Sequence, residues 1–213
     1  MRATDAYGEL LRIDQPIVET GEAATRLHTS VSNASHVLRS MEEAGLVRRL
    51  RHGLWALRSD VDPFSVAPYL TAPFPAYVSL WSALAHHDMI EQIPRDISVA
   101  SLDRTRRVST AIGTYSIHHL VPELFDGHRG SQEDGYLATP EKALFDTVYV
   151  RAPRGARVFF PELSLPEDFE ESQLDVWTRR IAAPRLRTLV SRGLEEALRQ
   201  ASRETGHRVG GEL

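Results

Sequence analysis

Over the first 58 residues the apolar positions form three helical stripes and then two short extended runs. From about Thr4 to Ile13, Tyr7, Leu10 and Leu11 share one side of a helix, and Pro16 breaks the segment. A second helix is expected near Thr20, with Thr20 as its N-cap and Ala23, Ala24 and Leu27 facing inward. A third follows after a few residues, capped by Ser30. Its apolar positions Val31, Ala34, Val37, Leu38, Met41 and Ala44 follow the helical period, and Gly45 stands where a glycine ends a helix. Leu46 to Leu50 then reads as a strand, Arg51-His52-Gly53 as a turn, and Leu54 to Leu57 as a returning strand in which Leu54 and Trp55 pack. Helix, short turn, helix, hairpin is the order of a winged helix-turn-helix.

Asp60, Asp62 and Pro63 read as a linker, and the pattern beyond it mixes helix and strand. Phe64 to Leu70 looks helical before Pro73 and Pro75 break it. Ser79 caps a helix carrying Leu80, Trp81, Ala83 and Leu84. Ile97 to Ser101, Arg106 to Ile112 and Thr114 to Leu120 read as strands, the last two joined through Gly113. Thr139 caps a helix with Pro140 at its first position, where a missing N–H costs nothing, and with Ala143, Leu144, Phe145 and Val148 turned inward. Helices are expected over about Glu170 to Ile181 and Pro184 to Ala201, and Thr205 to Leu213 reads as a polar, Gly-rich tail. The chain is therefore expected to be α+β: a winged helix-turn-helix over residues 1–58, then over 59–213 a mixed α/β domain with a small antiparallel sheet and C-terminal helices.

The net charge of −4 excludes a protein that coats nucleic acid by bulk attraction. Its distribution matters more. Arginine slightly outnumbers Asp plus Glu over residues 1–58, while the remainder is acidic, so DNA contact is expected near the N-terminus. Opposite the apolar stripe of the third helix lie Ser32, Asn33, His36, Arg39 and Ser40. Asn and Arg make paired hydrogen bonds to base edges, and Ser contacts bases or phosphates. Thr29, Ser30 and the free N–H groups at the helix start suit a phosphate. The hairpin adds Arg48, Arg49, Arg51 and His52. Alternation puts Arg49 and Arg51 on one face and Arg48 on the other.

Without cysteine there is no disulfide and no thiolate metal site. No apolar run reaches the length of a membrane span, and Met1 to Asp5 lacks the character of a signal peptide. A cytoplasmic protein without a cofactor is the expectation. His86-His87, His118-His119 and His128, with Asp88, Glu123 and Asp126, supply donor atoms but not the spacing of a metal site. HExxH, P-loop and nucleophile motifs are lacking, so neither a metal nor an enzyme is expected. Arg185, Arg192 and Arg199 repeat every seven residues beside a stripe of Leu186, Leu189, Val190, Leu194, Ala197 and Leu198. Those arginines suit an acidic partner, or pair with Glu195 and Glu196 on a solvated face.

Four segments carry a resemblance. Gly45-Leu46-Val47-Arg48-Arg49, with Gly53-Leu54-Trp55, lies in the hairpin. Tyr77-Val78-Ser79-Leu80-Trp81-Ser82-Ala83-Leu84 resembles a "YISLxSAL" segment, and Ile112 to Ile117 a strand pair. Ala138-Thr139-Pro140-Glu141-Lys142-Ala143-Leu144-Phe145-Asp146 resembles an "ATPEKALLD" helix start. Together, over about residues 20–150, they resemble the AbiEi family, antitoxins of type IV (AbiE) toxin–antitoxin systems. The resemblance implies an N-terminal domain that binds inverted repeats in its own promoter and represses it. It also implies a C-terminal domain that counters a nucleotidyltransferase-fold toxin encoded beside it. Thr139, Glu141 and Lys142, the only lysine, are then candidates for that role, and the regular arginine spacing, not the resemblance, adds Arg185, Arg192 and Arg199 as candidates. Asp88 and His28-Thr29 stand where relatives usually carry glycine, which puts two turns in question. A ligand-sensing repressor without a toxin partner is the alternative, with Trp81, Tyr115 and Trp177 as pocket or, by the simpler reading, core.

Overall fold

The computed structural model describes residues 3–131, 134–154 and 158–209. The N-terminal unit comprises α1 (Ala3–Leu11), β1 (Ile17–Glu19), α2 (Thr20–Arg26), α3 (Val31–Glu43), β2 (Arg48–Arg51) and β3 (Leu54–Ala56). Its three strands form an antiparallel sheet in the order β1-β3-β2. β1 was not foreseen: three residues are too few to show a period. α3 forms as its sequence dictates. Ser30 Oγ accepts the Asn33 N–H at 3.2 Å. At the other end Gly45 adopts φ 73°, the Leu46 N–H reaches the Met41 carbonyl and the Gly45 N–H that of Glu42, the paired bonds of a Schellman stop.

The same stop closes α2. The Thr29 N–H bonds the Ala24 carbonyl, the His28 N–H that of Thr25, and His28 takes φ 50°. The turn is thus built as a glycine would build it, at the expense of a left-handed non-glycine residue. Thr20 does not cap α2. Its hydroxyl accepts from Trp55 Nε1 at 2.9 Å and donates to the Gly53 carbonyl at 3.3 Å, tying the hairpin to the helix. Ala6, Leu10, Val18, Ala23, Leu27, Leu38, Met41, Trp55 and Leu57 form one core. Leu11, Val31 and Ala44 are exposed, so the inward stripes of α1 and α3 are narrower than expected.

Beyond a 3-10 turn over Pro63–Val66 come α4 (Ala67–Thr71), β4 (Ala76–Val78), α5 (Leu80–His86), β5 (Ile97–Ser101), β6 (Arg106–Thr110) and β7 (Gly113–His119). After a second 3-10 turn follow β8 (His128–Ser131), β9 (Gly135–Ala138), α6 (Pro140–Arg151), α7 (Glu171–Arg180) and α8 (Pro184–Val209). The sheet here is larger than the small antiparallel one expected. It has six strands in the order β6-β7-β5-β4-β9-β8 and is mixed, with β5–β7 and β4–β9 parallel. β4 and β9 are short, β4 is wholly buried, and β8 is His-Arg-Gly-Ser, so none shows an alternating pattern. α8 runs on through Val209, beyond the point where a tail was expected to begin; residues 210–213 lie outside the described residues. The described residues thus form an α+β chain with eight α-helices and two sheets. No helix among them is long and apolar enough to cross a membrane.

α5 to α8 pack on one face of the large sheet around Tyr77, Leu84, Leu144, Phe145, Val148, Trp177, Val190 and Leu194. Trp81 is partly buried against this cluster, and Leu189, expected inside, is exposed. A further cluster crosses the linker. Ile17, Leu50, Leu54 and Ala56 of the N-terminal unit pack with Val66, Leu70, Val78, Val99, Tyr115 and Ile117. Ala111, between β6 and β7, fastens this contact. Its N–H donates to the Leu50 carbonyl at 3.0 Å, and its carbonyl accepts from Arg48 at 2.6 Å.

Candidate nucleic-acid interface and acidic groove

A groove of about 410 Å³ opens between α3 and the β2–β3 hairpin. Val31, Ser32, Ser35 and Arg39 line it from the helix, Arg49, His52 and Gly53 from the hairpin, with Thr20 and Trp55 at its base, and among the described residues no carboxylate is in its lining. The Thr20–Trp55 bond fixes that base, and the Arg49 guanidinium lies 5.6 Å from the centre of the Trp55 ring, within cation–π range. The partners of the two arginines are backbone carbonyls and imidazole nitrogens. Arg39 donates to the Ser35 carbonyl and pairs with His36 Nδ1 at 3.1 Å; Arg49 donates to the Arg51 carbonyl and pairs with His52 Nδ1 at 3.1 Å. The nearby Glu42 carboxylate accepts from the backbone N–H of Arg49.

Of the residues singled out for DNA contact, the groove gathers Ser32, Arg39, Arg49 and His52. Asn33 and His36 are exposed on α3, and Asn33 Nδ2 donates to Thr29 Oγ1 at 2.7 Å. Ser30 is occupied as a cap. Arg51 is exposed, but a register shift between Arg49 and Arg51 breaks the simple alternation, and Arg51 does not line the groove. Arg48 is committed to Ala111 of the second region. Ser35 and Thr20 were missed, because each lies on a flank that only the hairpin turns into a wall.

The second region holds a groove of opposite character, about 790 Å³, between the 3-10 turn after the linker, β8–β9 and the starts of α6 and α7. Among the described residues Asp62, Asp134, Glu141, Asp168 and Glu170 line it, against Arg129 as the one arginine, with His86, His87, Phe64 and Trp177. Thr139 accepts the Lys142 N–H, which is the cap the sequence predicts, and both Thr139 and Glu141 border this groove. Gly127, in the wall, has no room for a Cβ, which would lie 2.6 Å from the Trp177 ring.

Lys142 is not on this surface. It is fully buried, as is Asp146, and its ammonium sits 2.6 Å from Asp146 Oδ1. Tyr77 and Ser79 donate to the other oxygen at 3.0 and 2.7 Å. Phe145 and Trp177 offer their rings to the ammonium at 4.8 and 5.2 Å. Burial first, and then the Asp146 charge, push the Tyr77 hydroxyl well above its usual range. Ser79 was expected to cap α5 with its hydroxyl; that hydroxyl is spent on Asp146 instead. An i, i+4 Lys–Asp spacing is usually a surface pair, so nothing in the residue pattern marked this one as buried. α6 is buried from Lys142 through Val148, on all sides of its axis.

Of the histidines weighed as donors, His87 Nε2 bonds the Ala138 carbonyl and His128 stacks on Tyr77 at 4.4 Å. Among the described residues no group of three or more His, Asp or Glu is arranged to hold a metal. Arg185, Arg192 and Arg199 are exposed along α8, and Arg199 donates to the Glu195 carbonyl. Neither a family model nor a curated protein sequence matches this chain.

Proposed function

We propose that the N-terminal unit is a winged helix-turn-helix that binds double-stranded DNA, and that the chain is an autoregulatory antitoxin of the AbiEi kind. On this reading α3 enters the major groove and the β2–β3 hairpin is the wing. The observation that carries it is the carboxylate-free groove in which Arg39 of the helix and Arg49 of the hairpin face the same space. A face used only for protein contact has no need of two uncompensated cations beside exposed Asn33 and His36. The antitoxin half rests on the Tyr77–Leu84 and Ala138–Asp146 segments. They form β4, α5 and the start of α6, and the pair Ser79–Asp146 joins them in one buried network.

The test has two arms. Duplexes from upstream of the chain's own gene should bind more tightly than mixed-sequence duplexes of equal length, and the full chain should restore growth when a neighbouring nucleotidyltransferase-like gene is expressed. Equal affinity for both duplexes removes the operator reading; failure to restore growth removes the antitoxin. The acidic groove favours a second reading, a ligand-sensing repressor, because Asp62 of the linker and Phe64 of the turn after it form part of its wall.

A further inference from the structure

Two arginines that face one groove without a carboxylate between them repel each other unless an anion joins them. We propose that Arg39 and Arg49 clamp a single backbone phosphate of double-stranded DNA, with the Ser32 and Ser35 hydroxyls as further donors. This rests on the DNA-binding reading above and refines it. Arg39 lies in the third turn of α3, whereas recognition helices read base edges chiefly from their N-terminal residues. Asn33 and His36 stand nearer that end. Arg39 is thus assigned to the backbone, and base reading falls to Asn33 and His36.

The two guanidinium groups are ready for such a ligand. Both engage only carbonyls and imidazole nitrogens through the N–H groups described, weaker partners than an anion. Trp55 supports the Arg49 guanidinium from one side, so its orientation is set before DNA arrives. One phosphate held by helix and hairpin together fixes the angle between them on the duplex. The Arg48–Ala111 bond, on the opposite side of β2, then fixes the second region in the same frame.

The experiment uses the full chain and a short mixed-sequence duplex, with affinity measured between about 50 and 200 mM salt. Loss of one phosphate contact makes the log–log salt slope shallower by about 1. Arg39→Gln and Arg49→Gln should each weaken binding with little change in slope, because the other arginine still neutralises the phosphate, and the double variant should be shallower by about 1. Single variants each shallower by about 1 with a double variant shallower by about 2 mean two separate phosphates and overturn the clamp alone. A double variant with an unchanged slope overturns it equally. A wild-type chain that binds no duplex removes the DNA-binding reading and the clamp with it. As a second measurement, sulfate titrated into the wild-type chain should shift the Arg39 and Arg49 Nε resonances with one common dissociation constant. Two different constants, or a shift at only one arginine, overturn the shared site even where a variant folds poorly.

Discussion

The two regions hold their cations differently. In the groove of the N-terminal unit Arg39 and Arg49 meet histidines and carbonyls, so their charge stays available. In the second region four cations are matched to carboxylates: Arg106 to Asp103, Arg107 to Asp96, Arg180 to Asp126 and Lys142 to Asp146. A net charge of −4 averages these two designs and describes neither. The groove leaves two guanidinium groups without a carboxylate, whereas α1 and α2 already pair Arg12 and Arg26 with Glu9.

The largest effect that tests this contrast lies at Lys142. Removing it by Lys142→Ala leaves Asp146 buried with only Tyr77 and Ser79 as donors. A broken buried pair costs about 3–5 kcal/mol, to be read as a lowered urea midpoint. Lys142→Met with Asp146→Leu should recover most of that loss only when Tyr77→Phe and Ser79→Ala remove the two hydroxyls left without an acceptor. By contrast Arg39→Gln with Arg49→Gln should leave the midpoint within about 0.5 kcal/mol of the parent. A mild Lys142→Ala or a severe arginine pair would erase the difference between the regions.

Leu50→Ala comes next. Leu50 belongs to β2 but packs in the cluster that spans the linker. The substitution should cost about 2–5 kcal/mol while leaving one cooperative transition, followed by Trp55 and Trp177 fluorescence alike. Two separated transitions would show that the regions are coupled less than their shared core implies.

How far all this was legible depends on whether the determining contacts were local. The Ser30 and Thr139 caps, the Gly45 stop and the β5 strand were readable, because each is written in a few adjacent residues. Lys142, Asp146, Tyr77 and Ser79 were not, since their network joins positions 69 and 67 residues apart. The groove residues Thr20 and Ser35 became visible only once the hairpin stood opposite them. The Arg48–Ala111 contact, across 63 residues, had no local trace at all.

The turns after α2 and α5 sharpen that point at smaller cost. Asp88 takes φ 53° with the same paired stop bonds as His28. Each carries a side chain where the backbone favours glycine. Asp88→Gly and His28→Gly should each stabilise by about 0.5–1 kcal/mol, net of the entropy glycine gains when unfolded. That corresponds to roughly 1–4 °C in Tm for a chain of this size. A fall in Tm for either would mean the side chain makes a contact that outweighs its strain.

The smallest effect is in pH. Burial lowers the His128 pKa, an effect partly offset by the nearby Asp126 and joined by repulsion from Lys142. The unfolded imidazole titrates near 6.5. Between the lowered folded value and about 6.5 the unfolded chain binds more protons, so stability rises with pH across that window and is lost as pH falls through it. His128→Gln should flatten the urea midpoint there. The carboxylates respond lower down. Hydrogen bonds from Arg107 and Arg106 hold Asp96 and Asp103 below their usual range. Their contribution is present above about pH 4 and disappears as pH falls through their folded values. Asp96→Asn should therefore alter only the acid limb and leave the His128 window unchanged. Movement of both windows together would mean that β6 and β8, at opposite edges of the sheet, titrate as one network, and the matched pairs of the second region could no longer be treated as separate.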